Sequence, residues 1–509
     1  MMFLASALFK VMEVLSILFI FGVGSVLIFL AIVFAFDRRQ NRDAILRNYP
    51  VIGHMRHILS KLGEFLRQYF FAMDRDELPF NRAERNWVDN SSRNADPTIA
   101  FGSTKYIREV GTPIFVNCPY PTLEGDIEPT PDFVIGPESP NPYRAKSFFN
   151  ISGMSFGALS APAVLALSKG ARAAGCWMNT GEGGLSPYHL EGGADIVFQI
   201  GTAKYGVRNS DGTLNEDKLK SIAALSQVKM FEVKLSQGAK PGKGGILPGV
   251  KVTPEIAEIR GIPAGEDSNS PNRHPEINSN EELLDFIARI KTLTGKPVGV
   301  KAVLGAYGWL DDLMTKSAKR GIAPDFFALD SGDGGTGAAP MALMDNVGLP
   351  IQESLPLLRD ILRRHGLDSR IPIIASGKLV TPADVAWALC AGATFVNSAR
   401  GFMFALGCIQ SLKCNKNTCP TGITTHDRRL QMGLDPTDKA VRVANYVCNL
   451  RHDVEMIAHS CGVPHPRRLK RFHVRMVGPD GASRALDQLY PSSDPADSGP
   501  SSALMKAGS

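Results

Sequence analysis

The sequence predicts an α/β fold: a (β/α)8 barrel of the TIM type, preceded by a transmembrane helix and carrying helical extensions. Three observations carry this. Short apolar or β-branched runs recur from residue 148, end mostly in Gly, Ser or Asn, and number eight. Helical patterns alternate with several of them, as parallel strands require. The chain is 509 residues long with 44% hydrophobic and 21% charged residues, ample for a large core with extensions. An open doubly wound sheet is the alternative, and the count of eight favours the barrel. Net charge is +6, and no Lys/Arg block has interleaved aromatics, so nucleic acid is not an expected partner.

The elements follow in order. Residues 1–36 form the expected membrane anchor. Val14–Phe36 holds 23 residues without a charge, which as a helix rising ~1.5 Å per residue reaches about 34 Å, enough to cross a bilayer core. A signal peptide is the rival reading, but the run leads straight into "AFDRRQNR" rather than a small-residue cleavage site. Arg38, Arg39, Arg42 and Arg47 follow the run and Lys10 precedes it. The positive-inside bias therefore predicts a single-pass protein of the inner (cytoplasmic) membrane with its catalytic domain in the cytoplasm. Thiols there stay reduced. Residues 37–100 form a helical linker. Its Ile58, Leu62, Leu66 and Phe70 predict an amphipathic helix that packs on the main domain or lies at the membrane surface, ended by Pro79.

The barrel is expected over 101–462. Its strand runs are 148–155, 176–181, 196–200, 230–236, 297–303, 324–332, 371–377 and 393–399. Helices are expected at 160–174, 280–294, 307–320, 351–365 and 382–391, the last with N-cap Thr381, Pro382 at its first position and Gly392 past its end. A further helix is expected at about 438–459. The Gly/Pro-rich excursion 237–279 follows the fourth strand, and in a barrel it would lie over the C-terminal mouth, where active sites sit. The tail, 463–509, is Pro/Ser/Gly-rich from 476 and expected to be partly disordered.

Several residues carry chemistry. "GDGGTG" (332–337) matches a dinucleotide-binding pattern, but Pro340 follows and no helix opens there. Beside Asp330, Ser331 and Asp333, its glycines suit a backbone pressed against a flat ligand, or a plain flexible loop. The ends of the seventh and eighth strands are the usual phosphate sites of barrels. Gly377, Ala399, Arg400 and Gly401 are the candidates there, against ordinary strand-to-helix turns. Lys301, within an apolar strand, is costly unless paired. Its partner is an anionic ligand such as a reduced flavin, or a carboxylate, Asp330 or Glu232. Lys234 and Lys240 add positive charge suited to a dicarboxylate substrate.

Cys408, Cys414 and Cys419, spaced C-x5-C-x4-C and followed by Pro420, fit zinc spacing poorly. Zinc with His426 or Cys448 as fourth ligand, and inert thiols, are the other readings. Purely thiolate ligands ending in Cys-Pro suit iron–sulfur, and three ligands suit [3Fe–4S].

"NISGMSFGALS", "NTGEGG", "SQGAKPGKGG", "LPGVKVTPEIA", "SGDGGTGAAP" and "FALGCIQSLKCNKNTCPTGI" together resemble the synthase domain of bacterial and plant-type glutamate synthases, over roughly 100–460. The chain resembles the short, membrane-anchored branch called FMN-binding glutamate synthase family proteins. The resemblance implies an FMN barrel with a [3Fe–4S] cluster held by Cys408, Cys414 and Cys419 in the loop 408–419. It implies flavin contacts at Met154, Ser155, Lys301, Ser331, Gly334, Gly335 and Gly337, and 2-oxoglutarate contacts at Gln237, Lys240, Glu182 and Lys204. The implied reaction is reductive amination of 2-oxoglutarate to L-glutamate. Reduced flavin gives hydride to 2-iminoglutarate, and the electrons arrive through the cluster. Two departures stand out. Ile246 replaces an expected glutamine and Lys243 an acidic residue, which leaves a related amino acid open as substrate. The sequence carries no recognisable glutaminase or NAD(P)H-binding unit, so an electron-donor protein and a separate ammonia source are the expected partners. An amine or amino-acid dehydrogenase passing electrons outward, and a non-catalytic membrane-anchored scaffold, are the alternatives.

Overall fold

The computed structural model describes residues 2–70 and 75–491. Helix α1 (Met2–Arg39) is followed by α2 (Gly53–Phe70) and α3 (Arg82–Ser92). Within α1, Lys10–Arg39 is long and apolar enough to cross a membrane, and its most apolar stretch is not buried against the rest of the protein. At ~1.5 Å per residue it reaches about 45 Å.

Eight parallel strands then close a barrel: β1 (Phe149–Ile151), β2 (Trp177–Asn179), β3 (Asp195–Ile200), β4 (Val228–Lys234), β5 (Val298–Val303), β6 (Phe327–Asp330), β7 (Ile373–Ser376) and β8 (Phe395–Ser398). Each pairs with its sequence neighbour, and β8 returns to β1 with Val396 opposite Phe149. Each of the eight expected strand runs overlaps one of these strands, with β3 starting one residue and β4 two residues earlier than expected. The expected helices appear at Ala161–Ala174, Asn280–Thr294, Gly308–Arg320, Ile351–Arg364 and Pro382–Ala391. The long helix α4 spans Pro436–Ser460.

Alternation along each strand divides two cores. Val298, Val300 and Ala302 face the outer helices, with Leu284, Ile287 and Leu310 in the same cluster. Trp177, Val197, Met230, Ala328, Ile374 and Phe395 fill the inside as a separate cluster. A short hairpin, Phe133–Ile135 with Tyr143–Ala145, closes the barrel floor by adding Ile135, Tyr143 and Ala145 to that cluster. Gly299 makes room for Phe326 of the same cluster, since a Cβ there would lie 2.3 Å from the Phe326 ring. Above this apolar plug the inward positions turn polar, and the site begins there.

The tail departs from the composition-based expectation. Val474–Val477 pairs with both Pro113–Phe115 and Ser483–Ala485 in a three-stranded antiparallel sheet, and Leu486–Leu489 is helical. Buried Arg471 anchors it through Asp360 at 2.6 Å and the Tyr490 carbonyl at 2.8 Å. A strand more than three hundred residues upstream completes the sheet, so local composition does not reveal it. Residues 492–509 of the expected tail lie outside the described residues.

Candidate active site

Polar residues interrupt the strand runs at one level. Glu232 of β4 is buried, and its Oε1 accepts from Asn179 Nδ2 (3.0 Å) of β2 and Gln199 Nε2 (2.6 Å) of β3. These three bridge the barrel interior just above the plug. One step higher, Lys301 of β5 meets Asp330 of β6, Nζ to Oδ2, at 3.3 Å. Burial alone would lower the lysine. Asp330 and Glu232 outweigh it and hold the ammonium above its ordinary pKa. The carboxylate partner expected for Lys301 is therefore present within the protein, and Asp330 Oδ2 also accepts from the Gly238 amide at 3.1 Å.

The excursion after β4 covers this level. Lys234 pairs with Glu182 at 3.1 Å and donates to Gln237 Oε1, while Gln237 Nε2 donates to Thr336 at 3.0 Å. Burial would raise Glu182, but Lys234, Lys240 and Arg260 draw it below the usual carboxylate range. Lys240 is buried, and among the described residues no carboxylate lies in salt-bridge range of it. Burial first, then Lys234, lowers its pKa to about 8. Gly245 packs directly on Glu182, where a Cβ would meet Oε1 at 2.2 Å. Its neighbour Ile246 opens a two-residue strand opposite Asn269. Lys204 takes a different partner, Glu276 at 3.0 Å.

The glycine loop after β6 opens no helix until Met341–Met344, which agrees with rejecting the dinucleotide pattern. Gly334 lies backbone to backbone against Gly238, and Gly335 lies against Arg400, whose Nε would sit 2.7 Å from an added Cβ. Gly337 has open space around it. At the end of β7, Gly377 has φ +128°, and a Cβ would strike the Ser331 side chain at 2.2 Å. The Ser331 hydroxyl donates to Asp333, whose carboxylate pairs with Lys378 at 2.7 Å. Gly401 owes its identity to packing on Tyr446, 2.2 Å from an added Cβ. Arg400 is the exception in this group. Its guanidinium lies over the Phe80 ring at 4.6 Å, and its buried Nη2 has no hydrogen-bond partner among the described residues. After β1, the Met154 amide donates to the Asn179 carbonyl (3.3 Å), and the Met154 carbonyl is 3.4 Å from Nε2 of buried His189. Gly181 presses on the Ser155 amide.

The cysteine loop hangs beside the mouth. Ser160 N bonds the Ile423 carbonyl, and Lys251 Nζ donates to the carbonyls of Ala158 (2.7 Å) and Cys414 (3.2 Å). Burial pushes Cys408 up to about 12 and raises Cys414, and each thiol feels the field of the others. Cys419 is also buried, but donors from Thr421 and Thr424 bring it below the ordinary thiol value. The Thr421 hydroxyl is 3.3 Å from its sulfur. Among the described residues no three His, Cys, Asp or Glu side chains converge as a formed metal-binding group. Of the fourth-ligand candidates for zinc, His426 sits against the loop, its amide donating to Asn417 Oδ1 at 2.7 Å, but its Nε2 is engaged with the Gly157 carbonyl at 2.9 Å. Exposed Cys448 lies near Cys176, which leads into β2.

The structure thus brings Glu182, Lys234, Gln237, Lys240, Lys301, Asp330 and the glycine loop to one mouth, with Arg400 at its rim. Sequence reasoning passed over Asn179, Gln199 and Arg260. The first two carry a legible signal, a polar side chain inside a buried strand run. Arg260, which reaches Ser268 at 3.2 Å and stacks over Tyr205, carries none.

The family model described as a conserved region in glutamate synthase matches residues 105–464. The chain is 40% identical to the glutamate synthase large subunit-like protein YerD of Bacillus subtilis (strain 168), over 93% of this chain and 97% of that protein. It is 38% identical to the archaeal glutamate synthase [NADPH] of Methanocaldococcus jannaschii, over 67% of this chain and 64% of that one. Among solved structures, a flavocytochrome b2 mutant with pyruvate bound is 15% identical over 83% of this chain and 85% of that one, with a TM-score of 0.44.

Proposed function

From the premise that the chain belongs to the glutamate synthase family and is an oxidoreductase of that type, we propose that it is a membrane-tethered FMN and iron–sulfur enzyme that makes L-glutamate from 2-oxoglutarate and ammonia. The balanced reaction consumes two electrons and two protons per 2-oxoglutarate and ammonium, and releases water. FMN would supply hydride transfer when bound, and a [3Fe–4S] cluster would supply one-electron entry from an external donor.

The single observation that carries the reading is the charge arrangement at the mouth. Buried cations Lys234, Lys240 and Lys301 converge there, and of these Lys240 has no carboxylate in salt-bridge range among the described residues. A cation held in a low-dielectric site favours an anionic guest, and a dicarboxylate fits. Lys240 would bind a substrate carboxylate, and Gln237, fixed by Lys234 and Thr336, would orient it. Glu182 keeps Lys234 in place. Lys301 would set a positive charge against the flavin ring, with Asp330 fixing the position of its ammonium.

Residues for both groups are present. The buried Nη2 of Arg400 at the end of β8, without a hydrogen-bond partner among the described residues, suits a phosphate, with Ala399 before it in the chain and Gly377 at the end of the neighbouring strand β7. Met154, Ser155, Ser331, Gly334, Gly335 and Gly337 would line the ring. At the cysteine loop, Thr421 and Thr424 hold donors near Cys419, and the Gln410 amide donates to Cys408 Sγ at 3.5 Å. Donors aimed at sulfur stabilise thiolates, the form that binds iron.

Turnover tests the reading. Anaerobic enzyme given 2-oxoglutarate, ammonium and a low-potential donor should form L-glutamate, and omitting ammonium should abolish it. Reduction of the flavin by amino acids or amines, without synthesis in the forward direction, would favour the dehydrogenase instead.

A further inference from the structure

Two apolar surfaces of the N-terminal segment have no partner among the described residues. The first is the apolar stretch of α1, none of it buried. The second is one face of α2. Met55, Ile58, Leu59 and Leu62 are all exposed, 46–62%. At 100° per residue they fall on a single stripe, with Arg56, His57, Ser60 and Lys61 opposite. A stripe of this kind, on a helix with a basic opposite face, is what an interfacial helix presents.

The two helices are clamped to each other and to the barrel. Asp37, fully buried in the last turn of α1, accepts from the Val51 amide at 2.9 Å and pairs with His54 Nε2 of α2 at 2.9 Å. Asn48, between them, donates to the Pro420 and Leu430 carbonyls at 3.0 and 2.8 Å. Lys439 of α4 donates to the Arg42 carbonyl at 3.0 Å. The clamp therefore ends on the residue that follows Cys419.

We propose that α2 lies in the headgroup layer of an anionic bilayer, with the Met55–Leu62 stripe among the acyl chains. This rests on the reading of α1 as a membrane span. Continuity with α1 and charge choose the occupant. Arg38, Arg39, Arg42, Arg47, Arg56 and Lys61 crowd this segment, and anionic headgroups complement them. The clamp then holds the cysteine loop on the membrane-facing side of the barrel, so a partner serving that loop is one resident on the bilayer.

The test uses the full chain in phosphatidylglycerol/phosphatidylcholine vesicles containing lipids brominated near the headgroup or near the chain end. Leu59→Trp, Lys61→Trp and Leu27→Trp are each read as the fluorescence difference from the parent protein with its four tryptophans. Shallow bromine should quench Leu59→Trp at least about twofold more than Lys61→Trp, and deep bromine should quench Leu27→Trp. Quenching at Leu27→Trp with none at Leu59→Trp would overturn the proposal and leave the anchor standing. A second copy seated on the stripe gives that same pattern with a dimer in light scattering. No quenching at Leu27→Trp would remove the anchor reading, and this proposal with it.

Discussion

Replacing Lys301 with methionine tests the innermost part of the mouth. The variant keeps the side-chain length and removes the ammonium 3.3 Å from Asp330. Asp330 is then a buried carboxylate that keeps the Gly238 amide at 3.1 Å but no ammonium in salt-bridge range among the described residues. Breaking a buried pair by removing one partner costs about 3–5 kcal/mol. For a barrel of roughly 360 residues, unfolding entropy near 2.1 cal/mol/K per residue converts this to a fall in Tm of about 4–7 °C. The assay is thermal unfolding of flavin-stripped protein, because bound ligand would add its own stabilisation. Lys301→Met/Asp330→Asn removes the stranded charge and keeps an acceptor for Gly238, so it should recover more than half of the loss. FMN retention is then measured on this stable double variant, and it should be reduced if Lys301 also faces the flavin. A fall in Tm under about 1 °C for Lys301→Met, or no recovery in the double variant, would refute the ion-pair argument. Full FMN retention would refute the flavin role alone.

Two further predictions concern the substrate. Lys240 titrates near pH 8 in the fold, while a free lysine keeps its proton to about 10.4. Its charge is present below pH 8, so the KM for 2-oxoglutarate should rise as pH passes through 8, and Lys240→Arg should flatten that rise. Folding stability moves the opposite way. Between about pH 8 and 10.4 the unfolded chain binds the extra proton, so Lys240 makes stability increase with pH in that window. The second prediction is that Ile246→Gln, beside the Gly245 backbone that packs on Glu182, should lower the KM for 2-oxoglutarate about tenfold by restoring a carboxylate-bonding amide worth ~1–3 kcal/mol. An unchanged KM would indicate that Ile246 does not face the substrate.

The barrel was legible because buried parallel strands write themselves as short apolar runs, and each expected run overlaps one. Lys301 was legible for the same reason, as a charge where none is tolerated unpaired. Asn179, Gln199 and Glu232 carry the same mark more faintly, because amides and a carboxylate also occur at strand ends and turns. The sequence left the partner of Lys301 open, since register alone decides that Asp330 reaches it. Partners that meet only in three dimensions had no local signal. Asn48 reaches Pro420 across 372 residues, Arg260 of the excursion stacks on Tyr205, and the tail strand pairs with Pro113–Phe115. The glycines divide in a way that spacing does not reveal. Gly334 and Gly401 are explained by chain packing, whereas Gly337 faces open space.

The most direct test of the account is the cofactor content of oxygen-free protein, read by absorption, iron analysis and low-temperature EPR. The account predicts one FMN and three irons per chain with the signal of an oxidised three-iron cluster. Cys414→Ser should lose the iron and keep the flavin. Zinc in place of iron, or a colourless protein with neither group, would contradict it.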